Sequence, residues 1–507
     1  MQTIHEQKTV TKEIQTAARH SAIYGLGGVL ARGIGFLMLP FYTHYLKPVD
    51  YGVLEILDLS MSLLGMFLNM GITAALLRSY TAAKSHKDRT AAVSSACIFV
   101  AATGAITFCL MAGTVRPISG LLFGPDVPSK YLLLSVCSFV LAYIANAPRT
   151  YLRAMEASGA FVIVETAGLF AQLALNVYFI AVLRLGLMGV LLSSLLVGVA
   201  QTSLLCGWTI RKVGLRFSRS AVGTMVRFGL PLIFSNLTLF ALNFSDRLFL
   251  QHLRSLDEVG IYSVGYKFGY MLNFLLVQPF YVMWQARMYV IHSQPEHPRI
   301  FPQIFVLYSL VLTCAGLGLA LFSREIVAVM VDPKFASCRE VIPVVAAAYV
   351  FGGLGYFAQV GMFLTNNTRM VGAVSAVAAC LNIGLNYVLI LQYGMMGAAW
   401  ATLLSFVALA AGSHLCSQRV FPMELGVGRV ALAMSVAAGL YLLSRCWTPA
   451  SLWISVLMKV GLLAAFPVLV WSARILSRGE LDTLLATWDS ALAQISKVTG
   501  LVSRKTA

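Results

Sequence analysis

Arg32 stands near the middle of an apolar run of membrane-span length, 21–45. A guanidinium held at that depth costs about 2.5–3.5 kcal/mol on the insertion scale, so it must face water, an acidic partner or an anion. The next run, 51–76, carries Glu55, Asp58, Ser62 and Asn69 at steps of three, four and seven, which places them on one helical face. Such a stripe suits the wall of a polar cavity with carboxylates for ion coupling. It suits helix–helix pairing with Arg32, or snorkelling of Glu55 to the interface, as well. Asn236, Asn243, Asp246 and Arg247 recur near heptad spacing in 224–247, where Asp246 and Arg247 can equally pair with the run 260–285 or mark the outer boundary. Tyr262, Tyr266, Tyr270 and Asn273 share a face of 260–285, with Lys267 adjacent. Rings beside a cation fit sugar stacking with anion contact, and they fit an aromatic belt too. Arg149 and Arg153, four apart, close the run 130–150 as an inner gate or as positive-inside anchors. Glu165, Gln172 and Asn176 stripe 160–183.

These residues need elements that hold them in lipid. The chain has 507 residues, of which 59% are hydrophobic and 11% charged. So few charges cannot cover a soluble protein of this size, and the bilayer must serve as solvent. Backbone groups in lipid need internal partners, which leaves helices or a closed barrel. The apolar runs are continuous rather than alternating, which excludes barrel strands. About 14 spans are predicted, at 21–45, 51–76, 91–115, 130–150, 160–183, 186–209, 224–247, 260–285, 302–323, 340–364, 370–392, 395–416, 427–444 and 451–473. The fold class is therefore an all-α polytopic membrane protein.

The net charge of +17 is read as the positive-inside rule. The segment 1–20, Lys84, Lys87 and Arg89, the run Arg211 to Arg219, and the tail then lie in the cytoplasm, with both termini inside. Residues 1–20 are polar and do not read as a cleavable signal. Nucleic-acid binding is excluded, because no basic, aromatic-rich soluble domain exists to carry it. The nine cysteines include no CxxC and no Cys/His cluster, so no metal and no cofactor is expected. There is no Walker A motif, and the short connecting loops argue against an enzyme.

The chain repeats itself. Gly186-Leu-Met-Gly189 returns as Gly394-Met-Met-Gly397, and Asn176 returns as Asn386. Asp50-Tyr51-Gly52 is echoed by Glu258-Val-Gly260-Ile-Tyr262. Six spans per half keep both halves in one orientation, a parallel repeat about an axis along the membrane normal. The expected organisation is a segment 1–20, an N-lobe 21–212, a C-lobe 213–418, two further helices in 419–476 and a cytoplasmic tail 477–507. Spans 1, 2, 7 and 8, at equivalent positions in the two halves, carry the polar groups of a central, net cationic chamber. A phosphate about 5 Å from one guanidinium gains roughly 3 kcal/mol at an effective dielectric near 20.

The stretch Tyr24-Gly-Leu-Gly-Gly-Val-Leu-Ala-Arg32, with Leu39-Pro-Phe-Tyr42 and Tyr45-Leu-Lys-Pro-Val-Asp-Tyr-Gly52, resembles polysaccharide-biosynthesis flippases of the Wzx (O-antigen) type. Ser245-Asp-Arg-Leu-Phe-Leu250, Val259 to Lys267, and Gly394 to Ala401 carry the resemblance into the second half. It implies the two-lobed fold of the multidrug/oligosaccharidyl-lipid/polysaccharide exporter superfamily. It also implies flipping of an undecaprenyl-diphosphate-linked oligosaccharide across the bacterial inner membrane by alternating access. Expected partners are the lipid-linked oligosaccharide and membrane lipids, with a polysaccharide polymerase and a chain-length regulator in the same assembly line. Arg32, Lys267 and Arg247 are then the candidates for diphosphate or acidic-sugar contact. Glu55, Asp58, Glu165, Asp246, Asn236 and Asn243 are candidates for the cavity wall or ion coupling, Tyr266, Tyr270 and Asn273 for the sugar, and Arg149 and Arg153 for the inner gate. A lipid II flippase, a cation-coupled multidrug antiporter of the same fold and a membrane scaffold are the other readings. Met38 stands where lipid II flippases carry a second arginine, and multidrug exporters generally lack the arginine at position 32.

Overall fold

The computed structural model describes residues 33–475 apart from 34, 70, 84 and 448–450, with backbone alone at 228–236, 239 and 452. The described residues are helical, with no strand among them. Chain order is α1 (Leu39–Tyr45), α2 (Pro48–Asn69), α3 (Ile72–Ala82), α4 (His86–Phe123), α5 (Lys130–Ala154), α6 (Ser158–Asn176) and α7 (Leu187–Val213). There follow α8 (Arg219–Leu253), α9 (Leu256–Leu272), α10 (Gln278–His292), α11 (His297–Leu321), α12 (Ser323–Met330), α13 (Val341–Ala358), α14 (Val360–Leu364), α15 (Thr368–Val420), α16 (Val427–Cys446) and α17 (Leu452–Ser472). Ten helical stretches among the described residues are long and apolar enough to cross a membrane. The protein is an all-α, multi-pass membrane protein.

Every span predicted from residue 51 onward falls on helix, with two local differences. The 51–76 run is two helices, broken at Gly71, whose φ of 62° is left-handed. Residues Val177–Val182 and Asn273–Val277 wind as π-helix, the first following Asn176 and the second beginning at Asn273. The predicted spans 370–392 and 395–416 are both helical within α15 and meet at a kink at Gly394, whose backbone is not helical. The span 21–45 and the segments 1–20 and 477–507 lie largely or wholly outside the described residues.

The chain divides into two compact units, and the division falls within α9 and α15. The first comprises the described parts of Met1–Val264 with Met330–Ser337 and Ile383–Ala398. Its core joins Ile72, Ala75 and Leu76 of α3 to Val93, Ala96 and Val100 of α4 and to Tyr143, Ala147 and Tyr151 of α5. Between α7 and α8 the chain is pinned to α4. Ser94 Oγ accepts the Arg216 N–H at 2.7 Å, and Ser95 Oγ accepts the Ser218 N–H at 2.8 Å.

The internal repeat is visible in the backbone of this unit. Gly186 has φ 54°, ψ −133°, and Gly394 has φ 54°, ψ −132°. Asn176 and Asn386 are both buried. Asn176 Nδ2 donates to Tyr42 Oη at 2.6 Å and Asn386 Nδ2 to Ser245 Oγ at 3.4 Å. Gly52 of α2 lies against the Leu256 carbonyl of α9, and Gly260 of α9 lies against the Pro48 carbonyl of α2. The two contacts are reciprocal: each glycine lies against the carbonyl four residues before the other.

The second unit comprises the described parts of Gly265–Val329, Cys338–Asn382 and Ala399–Ala507. Leu317 and Leu321 of α11, Ala433, Ala437 and Leu440 of α16, and Phe466 and Val470 of α17 form one core cluster. Lys459, two turns into α17, is held by Glu325 of α12, with Nζ 2.6 and 2.7 Å from the two carboxylate oxygens. Ser455 Oγ donates to the same carboxylate at 2.9 Å. A second cluster stacks Phe280 on Tyr308 and Trp284 on Phe357.

Candidate functional site

A helix break and a proline-bearing helix flank a space inside the first unit. The break lies between α2 and α3 at Gly71. The helix is α5, where Pro148 in the last turns removes one backbone N–H and crowds the preceding turn. Between them lies a cavity of about 440 Å³. The α2 side contributes Ser62, Gly65, Met66 and Asn69, followed by Gly71. The α5 side contributes Phe139, Ala142, Tyr143, Asn146 and Arg149. Tyr143 seals the break: its hydroxyl donates to the Leu68 carbonyl at 3.1 Å and shares a hydrogen bond with Thr103 Oγ1 at 3.0 Å. The Leu68 carbonyl near the end of α2 therefore has a hydrogen-bond partner where the helix stops.

Arg149 is the cation on this wall, and two neighbours hold it. Its Nη2 donates to Gln201 Oε1 of α7 at 2.7 Å. Its Nε lies 2.8 Å from Glu165 Oε1 of α6, an ion pair in which neither atom has hydrogen-bond geometry. Gln201 is placed by its own Nε2, which donates to the Val164 carbonyl at 3.3 Å, and by Gly168, where a Cβ would overlap the amide. The side chain of Arg149 is 19% exposed and that of Glu165 is 42% exposed. A mixed pocket that joins Ser62, Asn69, Asn146 and the held Arg149 to apolar walls and the Phe139 ring can bind an anion that carries a sugar.

The predicted site residues fall into three places. Arg149, Ser62 and Asn69 line this cavity, and Glu165 joins them through its contact with Arg149. Of the same α2 stripe, Glu55 is buried and Asp58 exposed, and both sit one to two turns away from the cavity wall. Arg153 lies one turn beyond Arg149, exposed, with Nη2 on Thr150 Oγ1 at 3.2 Å and its guanidinium over Phe161.

Asp246 and Arg247 form a separate, buried network in the first unit. Arg247 is 3% exposed; its Nη1 donates to Asp246 Oδ1 at 2.9 Å and to the Asn243 carbonyl at 3.3 Å. The Tyr262 hydroxyl donates to Asp246 Oδ2, and the Tyr262 ring faces the guanidinium at 5.5 Å. The expectation of a substrate-facing Arg247 thus meets a side chain committed to a protein carboxylate. Burying this pair requires the additional hydrogen bonds that Tyr262 and Asn243 supply.

Tyr266, Tyr270 and Asn273 belong to the second unit. The Tyr266 and Tyr349 hydroxyls lie 2.6 Å apart, both residues being buried, and Tyr270 stacks on Tyr266. Asn273 is buried at the start of the π-helical turn, and Lys267 is half-buried on α9. Arg32 and the side chain of Asn236 lie outside the described residues. Sequence reasoning missed Gln201, Asn146 and Gly168. An amide within an apolar run and a proline one residue before a predicted gate arginine were the available signals.

Residues 17–283, more than half of the chain, match the family model described as "Polysaccharide biosynthesis protein". The chain belongs to this family. Among solved structures it is similar to the lipid II flippase MurJ in an inward closed conformation, with TM-score 0.69 and 13% identity, covering 90% of this chain and 100% of that one. It is also similar to an inward-facing multidrug resistance MATE transporter of the MOP superfamily, with TM-score 0.61, 13% identity, and coverage of 77% and 94%. An outward-facing MATE transporter gives TM-score 0.55 at 15% identity, with coverage of 80% and 95%. At these identities the likeness is one of fold. No curated protein matches the chain. This member of the polysaccharide biosynthesis family therefore shares its fold with a lipid II flippase and with multidrug resistance MATE transporters.

Proposed function

We propose that this protein flips a lipid-linked oligosaccharide, an undecaprenyl-diphosphate-linked repeat unit for O-antigen or exopolysaccharide, across the bacterial inner membrane by alternating access. The observation that carries the reading is the cavity walled by Ser62, Asn69, Asn146 and the oriented guanidinium of Arg149. Amide and hydroxyl groups suit a glycan, and a fixed cation suits its diphosphate or an acidic sugar. Exposed Lys87, Arg89, Arg153, Arg211, Lys212 and Arg216 lie at the ends of the helices nearest the Arg149 end of α5. The positive-inside rule makes that the cytoplasmic end, where a repeat unit assembled in the cytoplasm would enter. The polyprenyl tail stays in lipid throughout. A polymerase and a chain-length regulator would receive the flipped unit. Replacing Arg149 by Gln tests the assignment: normally inserted R149Q protein should fail to restore surface polysaccharide in a deletion strain. Full restoration by that variant would remove Arg149 from the site.

A further inference from the structure

A transport site must release what it binds, and the Arg149 site contains its own competitor. Glu165 reaches Arg149 from α6 at 2.8 Å, aligned by charge alone and 42% exposed. Gln201 grips Nη2 of the same guanidinium with a neutral amide at 2.7 Å and is itself fixed by Val164 and Gly168. The two partners therefore have different consequences. Removing the amide would let the guanidinium swing away. Removing the carboxylate would leave it oriented and uncompensated. The contacting Nε and Oε1 are buried, but the Glu165 side chain as a whole reaches solvent and the pair lacks hydrogen-bond geometry, which leaves the carboxylate open to displacement by a phosphate.

We infer that Glu165 is a built-in competitor for the anion site, an affinity-lowering residue that keeps ligand exchange at Arg149 reversible. The inference rests on the proposal that Arg149 contacts the anionic part of the substrate. In the cycle, the incoming phosphate oxygen takes the Arg149 contact and the Glu165 carboxylate turns to water. When the substrate departs, the carboxylate closes back on the guanidinium. No bond is made or broken; one ion pair exchanges for another. Arg149 is held by Gln201 in both states.

The expected signature is tighter binding with slower transport. The purified full-length chain in nanodiscs is titrated with undecaprenyl diphosphate, and the same variants are scored for restoration of surface polysaccharide in the deletion strain. Glu165→Gln should bind roughly two- to five-fold tighter, the range of a partly exposed ion pair, and support less transport than wild type. Arg149→Gln should weaken binding, and the double variant should bind as Arg149→Gln does, because Glu165 acts through Arg149. Glu165→Ala, expected to behave as Glu165→Gln, carries the test if the glutamine variant is unstable. Unchanged or weaker binding by the Glu165 variants, with Arg149→Gln still weakened, would overturn the competitor and leave the site standing. Unchanged binding by Arg149→Gln would overturn the site itself.

Discussion

Gly52 and Gly260 make the sharpest structural prediction, because each presses on rigid backbone. A Cβ placed on Gly52 would overlap the Leu256 carbonyl oxygen and stand 2.9 Å from its carbon and 3.2 Å from the Gly260 nitrogen. A Cβ on Gly260 would overlap the Pro48 carbonyl oxygen, with the carbon again at 2.9 Å and the Gly52 nitrogen at 3.1 Å. Main-chain carbonyls engaged in helices cannot rotate aside, so α2 and α9 must part by about 1 Å or more to restore ordinary contact. Overpacking of this kind costs about 1–3 kcal/mol. The assay is thermal unfolding of purified protein in detergent for Gly52→Ala, Gly260→Ala and the double variant. Each single variant should melt several degrees lower than wild type. Once one methyl has separated the helices the second meets less resistance, so the double variant should fall short of the sum. Gly207, in α7, is the control, because a Cβ there would meet nothing within 4 Å. Gly207→Ala should melt at or slightly above the wild-type temperature. Wild-type melting of both single variants, or strict additivity in the double, would refute the reciprocal contact.

Gly186 and Gly394 share φ 54°, so alanine strains both backbones by about 1–2 kcal/mol. At Gly394 the methyl would also stand 2.6 Å from Glu258 Oε2, which accepts the Met395 N–H at 3.1 Å, so Gly394→Ala should lower the melting temperature more than Gly186→Ala. Lys459→Met should cost about 3 kcal/mol by stranding Glu325, and adding Glu325→Gln should recover much of it in the same melting assay. Burial pushes the Glu325 carboxyl up, but hydrogen bonds from Lys459, its own backbone and Ser455, with the Lys459 charge, bring it below its ordinary value of 4.5. A depressed carboxyl stabilises the fold above its unfolded value and loses that contribution as pH falls through the folded one. The wild-type melting temperature should therefore fall below pH 4.5, with a shallower fall in the Glu325→Gln variant.

Hydropathy made the helices legible because lipid leaves the backbone no other option. The repeat was legible because glycine is required at Gly186 and Gly394 by their positive φ, and at Gly52 and Gly260 by close approach. Helical spacing identified the polar stripes but not what each residue on a stripe faces. Glu55 and Asp58 share a face by spacing, yet one is buried and the other exposed, because neighbouring helices cover the face unevenly. Asp246 and Arg247 could by sequence line the chamber, mark a span boundary or pair with the next span; Tyr262 and Asn243 enclose them in a protein-internal network. Arg149 was legible as a cation at the end of a span. Its place at a cavity depends on Gln201, 52 residues further on, on Glu165 of the adjacent helix, and on the break at Gly71.

The most direct test of the flippase assignment is the leaflet in which lipid-linked glycan resides in cells that lack this protein. Lipids are extracted from the deletion strain and from one carrying the gene, and the glycan in intact spheroplasts is probed with a membrane-impermeant label. Accumulation of a complete lipid-linked repeat unit that the label cannot reach, and that becomes reachable when the gene is restored, is the predicted result. A repeat unit equally accessible in both strains, or no accumulation at all, would contradict it.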